Sequence, residues 1–244
     1  MIAALRFSRV DKRYGGFQAL RGVSFAVPQG SFFGLAGVNG AGKTTLLKCV
    51  LDLSTANHGS IEIFDLPSHL TRARERLSFL PERFTPPYYL DGRSFLRMMA
   101  GMRGNQYDEA TAMAMLESLD LDMAALGRPV KTYSKGMTQK LGLACCLLAD
   151  CELTILDEPM SGLDPKARAC VKRLLQGLKA RGRTLLFTSH ALSDIEEVCE
   201  SVGVLHQGRL RFAGSPAAMR ELTGAASIED AFLNLIAAPE TTPG

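Results

Sequence analysis

Residues 37–44 read Gly-Val-Asn-Gly-Ala-Gly-Lys-Thr and fit G-x-x-x-x-G-K-[ST] at every position. These residue types suit one task, gripping a polyphosphate. Glycines let the backbone curl so that successive N–H groups point at phosphate oxygens. A helix that begins where such a loop ends adds partial positive charge at its N-terminus. Lys43 then neutralises the β- and γ-phosphates of a nucleoside triphosphate. The Thr44 hydroxyl suits Mg²⁺, a hard cation that keeps most of its water and takes few protein ligands. A glycine turn before an ordinary helix is the plainer reading, and the complete spacing outweighs it.

A second motif supplies carboxylates. The apolar run Leu153-Thr154-Ile155-Leu156 ends in Asp157-Glu158. Ligands of open α/β sheets sit outside the carboxyl ends of strands. Asp157 can therefore hold Mg²⁺ through water. Glu158, one residue further out, can polarise an attacking water as general base. Taken alone the pair reads as a solvated strand end; beside the 37–44 loop it reads as the other half of a phosphoryl-transfer site.

These residues need strands and helices to hold them. Alternation at Leu5 and Phe7, continuing toward Val10, predicts one strand, and 23–27 predicts a second. Pro28-Gln29-Gly30 is a turn, 31–36 a short apolar strand, and 43–53 a helix after the Gly-rich loop. Residues 59–65 form an alternating strand ended by Pro67, and 77–80 another strand. Pro86-Pro87 then break the chain. From there helical periodicity runs through Phe95, Leu96, Met98, Met99, Met113, Met115, Leu116 and Leu119 to a last helix over 136–148. The runs 153–156 and 184–187 are continuously apolar, as parallel strands covered on both faces are. Helices are expected over 166–180 and 192–200, the first opened by Asp164 as N-cap and Pro165 at the first helical position. Strands near 202–205 and 209–212 follow, then tail helices near 216–222 and 228–236 and a frayed Pro/Thr/Gly end.

The chain has 244 residues, 46% of them hydrophobic, enough for one domain of two lobes or two small domains. A charged fraction of 22% and a net charge of +3 leave no electrostatic footprint for nucleic acid and no polybasic lipid anchor. The longest strongly apolar run, 141–149, is far short of the about 20 residues that span a bilayer. The N-terminus has no cationic start before a long apolar stretch, so no signal peptide is expected and a soluble, cytoplasmic protein is. Cys49, Cys145, Cys146, Cys151, Cys170 and Cys199 form no C-x-x-C pair and read as reduced core thiols.

With its motifs in this order the chain resembles the nucleotide-binding subunits of ATP-binding cassette (ABC) transporters, over roughly 5–212. The resemblance implies an α/β fold: a P-loop NTPase core with a mixed sheet, an antiparallel β subdomain and an inserted α-helical subdomain. Residues 1–82 and 150–215 would form the nucleotide-binding lobe, 83–149 the helical signature lobe and 216–244 a short C-terminal helical tail. ATP and Mg²⁺ are the implied cofactors. Tyr14, in KRYGGFQAL, matches the aromatic that stacks on adenine, although a lone Tyr reads more simply as a packed residue. Gly37, Asn39, Gly40, Ala41, Gly42, Lys43, Thr44 and Thr45 would wrap the phosphates. Thr44, Asp157 and Glu82 would serve the metal; Glu82 stands where the family usually has Gln, in the loop joining the lobes.

Tyr133-Ser134-Lys135-Gly136-Met137 occupies the place of the family signature LSGGQ. Ser134 and Gly136 open the 136–148 helix, so a hydroxyl, backbone N–H groups and a helix dipole face one way. Without the resemblance this is a simple helix cap; with it, the segment completes the ATP pocket of the opposite subunit. Residues 161–164, Ser-Gly-Leu-Asp, resemble the loop that crosses the dimer interface. His190, after the strand RTLLFTS, matches the histidine that contacts the γ-phosphate and orients the water, against a plain structural reading for a lone strand-end His. His58, His69 and His206 form no cluster.

The chain departs from the pattern at Glu82, Lys135, Met137 and Gly162. Glu82 adds negative charge near phosphate, which implies altered coupling rather than lost activity. Lys135 either adds charge near the γ-phosphate or points into solvent. The implied partners are a second ATPase subunit, a homodimer since one chain carries every part, and a separate transmembrane permease met by the helical insert and the 80–90 loop. No nucleic acid is expected. KTYSKGM, Glu82 and the short tail are similar to exporter ATPases of the multidrug, polysaccharide and copper-maturation types. The rival is an ABC ATPase of non-transport type, associated with nucleic acid or ribosomes; no sustained heptads and a single phosphate loop count against it.

Overall fold

The first apolar alternation becomes β1 (Ala3–Tyr14), which returns as β2 (Phe17–Pro28) and leads to β3 (Phe32–Ala36) and α1 (Lys43–Val50) in the computed structural model, which describes residues 2–238. Next come β4 (His58–Ile63), β5 (Leu66–Pro67), α2 (Thr71–Arg74), β6 (Leu77–Leu80), α3 (Gly92–Met102) and α4 (Glu109–Ser118). After two short 3₁₀ turns follow α5 (Lys135–Leu148), β7 (Leu153–Asp157), α6 (Pro165–Ala180), β8 (Thr184–Ser189) and α7 (Leu192–Val198). The chain finishes with β9 (Ser201–His206), β10 (Arg209–Gly214), α8 (Pro216–Thr223) and α9 (Ile228–Ala237). The frayed end expected after the tail helices lies outside the described residues beyond Ala238. The elements divide into two compact units, one made of the chain up to Glu75 and from Thr184 onward, the other of Arg76–Arg183.

The first unit carries an antiparallel sheet in the order β2-β1-β4-β5 and the strands β10-β9-β3-β8 of a mixed sheet. β3 pairs parallel with both β8 and β9, while β10 pairs antiparallel with β9. All five residues of β3 are buried, as its apolar sequence requires of a strand covered on both faces. One cover is α7, whose Ile195 occupies the space a side chain at Gly34 would need. The antiparallel sheet meets β3 through a column of rings. Phe7 stacks on Phe25 at 4.3 Å between centroids, and Phe25 on Phe33 at 5.2 Å. Burying Phe7 and Phe33, the two buried rings of the column, contributes about 1.5–3 kcal/mol each.

In the second unit β6 and β7 pair in parallel, with Leu77 opposite Leu153 and Leu80 opposite Leu156. Arg76 closes the near end by a two-pronged bond to Glu152, at 2.7 and 2.6 Å. That pairing holds the Glu152 carboxyl below its ordinary range. The apolar stripe of α5 lies on β6 at Gly142, where a Cβ would stand 2.7 Å from Leu80 and from Phe84. Helix starts follow the sequence: Asp91, Asp108, Ser134 and Asp164 each cap a helix by accepting a backbone N–H, at about 1 kcal/mol apiece. None of the six cysteines is in a disulfide. Burial pushes the Cys146 thiol up to about 12 and that of Cys145 to about 11, which favours the neutral thiol in both.

The α/β class, with a mixed sheet, an antiparallel sheet and a helix-rich stretch over 92–148, is as expected. Among the described residues no helix is long and apolar enough to cross a membrane.

Candidate nucleotide site

In the first unit β3 runs into the 37–42 loop, and the loop opens α1. Gly40 and Gly42 hold φ values of 79° and 112°, a region side-chain-bearing residues rarely enter. Gly42 is also the N-cap of α1, so no side chain caps that helix; a bound anion would meet its first N–H groups instead. The loop is pinned from below. Ala41 donates to the Val38 carbonyl at 3.1 Å, and its own carbonyl accepts from Gly208 N–H at 2.9 Å. Lys43 is buried and folds back across the loop, Nζ donating to the Gly37 carbonyl at 2.5 Å. Thr44 is exposed beside it, with Thr45 half-buried, while Val38, Asn39 and Gly40 form the open rim.

Gly42 tests this geometry. A Cβ there would sit 2.8 Å from the Ala19 carbonyl oxygen, in addition to the strain of its φ. Gly42→Ala is expected to cost about 2 kcal/mol or more and to lower the thermal midpoint by about 4–8 °C. A melt indistinguishable from the parent's would show that the loop tolerates another path.

His190 belongs to the same unit. β3 and β8 are in parallel register with Ala36 opposite Ser189. Gly37 and His190 therefore leave neighbouring strands at the same level, about 4.8 Å apart by strand spacing. His190 is exposed there, and Ser189 Oγ accepts the Ala191 N–H at 3.0 Å, bending the chain away after it.

Tyr14 ends β1 at a tight hairpin, opposite Phe17. Its ring is 46% exposed. The phenol oxygen lies 3.2 Å from Ser54 Oγ, in the turn after α1. The structure thus ties Tyr14 to the far end of α1, a helix about 12 Å long. Lys12 Nζ stands over the ring at 4.9 Å. Lys12 and Tyr14 are two apart on one strand and so share a face; reading the strand only as far as Val10 hid the pair.

The second unit brings the other candidates together. Because Leu80 faces Leu156, Glu82 and the Asp157-Glu158 pair emerge at the same carboxyl edge of β6 and β7. Asp157 and Glu158 are buried, while Glu82 is exposed. Glu158 has φ of 50°, uncommon for a long side chain and costly by about 1–3 kcal/mol. Its carbonyl accepts the Ser161 N–H at 3.0 Å, which fixes the turn into 161–164. Gln139 of α5 donates to the Pro159 carbonyl at 3.0 Å, tying the helix to the same turn.

Ser134 caps α5, its Oγ accepting the Met137 N–H at 3.2 Å. Gly136 faces the Gly162 carbonyl, so the 134–136 and 161–164 segments adjoin. Lys135 lies across Gly162, whose φ is 75°; an added Cβ would meet the lysine Cδ and Cε at 3.0 Å. Lys135 and Gly162, two of the four departures from the family pattern, are thus neighbours, which two separated sequence positions give no sign of.

Each unit by itself offers only oxygen donors among the candidate cation ligands: the Thr44 hydroxyl in the first, the Asp157 and Glu82 carboxylates in the second. Among the described residues no group of three His, Cys, Asp or Glu forms a cage. Hard oxygen donors of these kinds suit Mg²⁺, which is held by one or two carboxylates, phosphates and water.

Residues 20–161 match the family model described as ABC transporter. An uncharacterised ABC transporter ATP-binding protein of Synechocystis is 38% identical over 201 residues, 81% of this chain and 57% of its own length. The Nod factor export ATP-binding protein I of Burkholderia orbicola is 36% identical over 226 residues, 90% of this chain and 73% of that protein. A solved structure of an ATP binding subunit of an ABC transporter superposes with a TM-score of 0.86 at 29% identity, covering 95% of this chain and 99% of that one. The chain spans 57% and 60% of the first two curated relatives it matches. With a glycine-rich loop between β3 and α1, a buried acidic pair at the end of β7 and a match that reaches from Leu20 to Ser161, the chain belongs to the ABC transporter family as an ATP-binding domain.

Proposed function

We propose that this chain binds and hydrolyses ATP as the motor subunit of an exporter, working as a homodimer on a separate membrane subunit. The observation that carries this reading is the loop before α1, with its two left-handed glycines and Lys43 folded across it. Tyr14 is the base platform, and Gly37, Asn39, Gly40, Ala41, Gly42, Lys43, Thr44 and Thr45 wrap the phosphates. Thr44, Asp157 and Glu82 would hold Mg²⁺. When bound, the cation neutralises charge developing on the phosphates. Glu158 takes a proton from the attacking water, and His190 orients that water. Ser134 and Gly136 of a second copy close over the γ-phosphate, so that ATP holds the two copies together and hydrolysis lets them part. The reaction is in-line phosphoryl transfer, and the protein's contribution is positioning and charge.

We divide the chain by function into 1–82 with 150–215 for the nucleotide, 83–149 for signature and docking, and the tail from 216. Where the 82–88 segment meets 130–139, a groove of about 880 Å³ is lined by Glu82, Phe84, Pro87, Lys131, Tyr133 and Thr138. Tyr88, also on its lining, and Tyr89 stand largely exposed, edge to face at 5.5 Å. Large aromatics exposed beside a groove suit a protein partner, and the membrane subunit is the one we assign to it. The resemblance to a Nod factor export protein supports export as the direction.

The test is turnover with oligomeric state. Phosphate release from MgATP should stop in excess EDTA while nucleotide stays bound. Light scattering should report dimers when hydrolysis is blocked with ATP present, and monomers with ADP. A chain that stays monomeric in every nucleotide state would overturn the dimer cycle.

A further inference from the structure

The hairpin end that carries Tyr14 is braced by contacts that the phosphate loop and acidic pair do not account for. Lys12 Nζ sits 4.9 Å from the ring centroid and donates to the Thr55 carbonyl at 2.6 Å. The phenol oxygen reaches Ser54 Oγ at 3.2 Å. The backbone between them is stitched to the same turn: Arg13 N–H donates to Asn57 Oδ1 at 2.7 Å, and Asn57 N–H to the Asp11 carbonyl at 2.8 Å. A half-exposed tyrosine at a hairpin tip ordinarily samples several orientations, and a ligand that stacks on it must first order it. Here one face is covered by an ammonium and the edge is tethered, which leaves the opposite face presented flat.

We propose that Lys12 is a positioning residue for nucleotide binding: it backs the Tyr14 ring from behind and sets it as a rigid platform for a purine base. The inference rests on the reading of Tyr14 as the base platform. Two physical effects act together. The cation is attracted to the electron-rich ring face and so restricts the ring's tilt. It also draws ring density toward itself, which lowers repulsion between the far face and the π-cloud of a stacked base. Lys12 is held by the Thr55 carbonyl, in the turn that ends α1, so the platform is referenced to the helix whose other end grips phosphate. Base and phosphate subsites are thereby held at a fixed spacing.

The experiment compares ATP with inorganic tripolyphosphate, which has phosphates and no base, by calorimetry on the full chain. Lys12→Met should weaken ATP binding about two- to five-fold, the change that corresponds to an exposed cation–π contact, and leave tripolyphosphate binding unchanged. In turnover KM should rise by the same factor with kcat unaltered, and Lys12→Arg should restore both. In a Tyr14→Ala background Lys12→Met should add nothing. Equal weakening of tripolyphosphate would make Lys12 a phosphate-directed charge and overturn the proposal, as would an undiminished loss in the Tyr14→Ala background. If Tyr14→Ala weakens ATP while Lys12→Met does not, the platform stands and the inference falls. If Tyr14→Ala leaves ATP affinity unchanged, the platform itself is wrong and both fall.

Discussion

Glu158→Gln is expected to lower steady-state phosphate release by about a hundredfold to ten-thousandfold, the range a positioned general base contributes, while ATP binding persists. The change keeps length and shape and removes only basicity. Glu158 is 9% exposed and follows directly on β7, so its carboxylate is held by strand geometry rather than by a mobile loop. The backbone supports this. A φ of 50° is held in place by the 3.0 Å bond from Ser161 N–H to the Glu158 carbonyl. Strain of that kind persists where surrounding structure over-determines it, and it clusters at working sites. The expected signature is therefore double: turnover collapses, and a long-lived ATP-bound dimer accumulates because the step that releases it is blocked. Single-turnover phosphate release and light scattering read the two effects. A variant that hydrolyses at the parent rate would remove Glu158 from the base role and leave its strained backbone unexplained.

Much of the scaffold under this residue was legible in the sequence. β6 falls where the apolar run 77–80 placed it, and α6 begins at the Asp164-Pro165 start signal. Both are set by local chemistry. The misses have local causes as well. The helix expected over 43–53 ends at Val50, because Asp52 turns left-handed with φ of 59°. The strand expected over 59–65 stops at Ile63, where Phe64 and Asp65, at φ of 48° and 60°, make a two-residue hairpin turn into β5. Turns of that hand usually announce themselves with Asn-Gly or Asp-Gly, and this one carries neither glycine nor asparagine. β2 starts at Phe17, well before the alternation near Val23, since pairing with β1 orders Phe17 and Gln18 through the backbone whatever their side chains are.

The candidate site divides along the same line. Loop 37–44 is contiguous, so its chemistry is written in order. The apposition of Lys135 with Gly162, and the tether from Tyr14 to Ser54, join positions far apart in sequence and arise only from packing. The same apposition gives Lys135 a definite place: its stem lies along the backbone of the 161–164 loop.

Lys43→Ala should abolish ATP binding at ordinary concentrations. Lys43 is the first residue of α1 and is buried, so its ammonium has been taken out of bulk water. In this structure it donates to the Gly37 carbonyl at 2.5 Å, across the loop where a phosphate would lie. A triphosphate entering the loop meets a cation whose desolvation has already been offset by the fold, and offers it an anionic oxygen in place of the neutral Gly37 carbonyl. Truncating one member of a buried charge pair costs about 2–5 kcal/mol, which corresponds to an affinity loss of roughly thirtyfold to several-thousandfold. Loss of the charge-assisted bond to Gly37 would itself cost about 1.5–3 kcal/mol of stability, so the variant should still melt cooperatively, about 3–12 °C below the parent. Calorimetric titration with ATP, paired with a thermal melt, separates the two. A cooperative melt with lost binding assigns the lysine to phosphate. A cooperative melt with unchanged affinity would mean that backbone amides and the helix terminus grip the triphosphate unaided, and that the lysine serves only to close the loop.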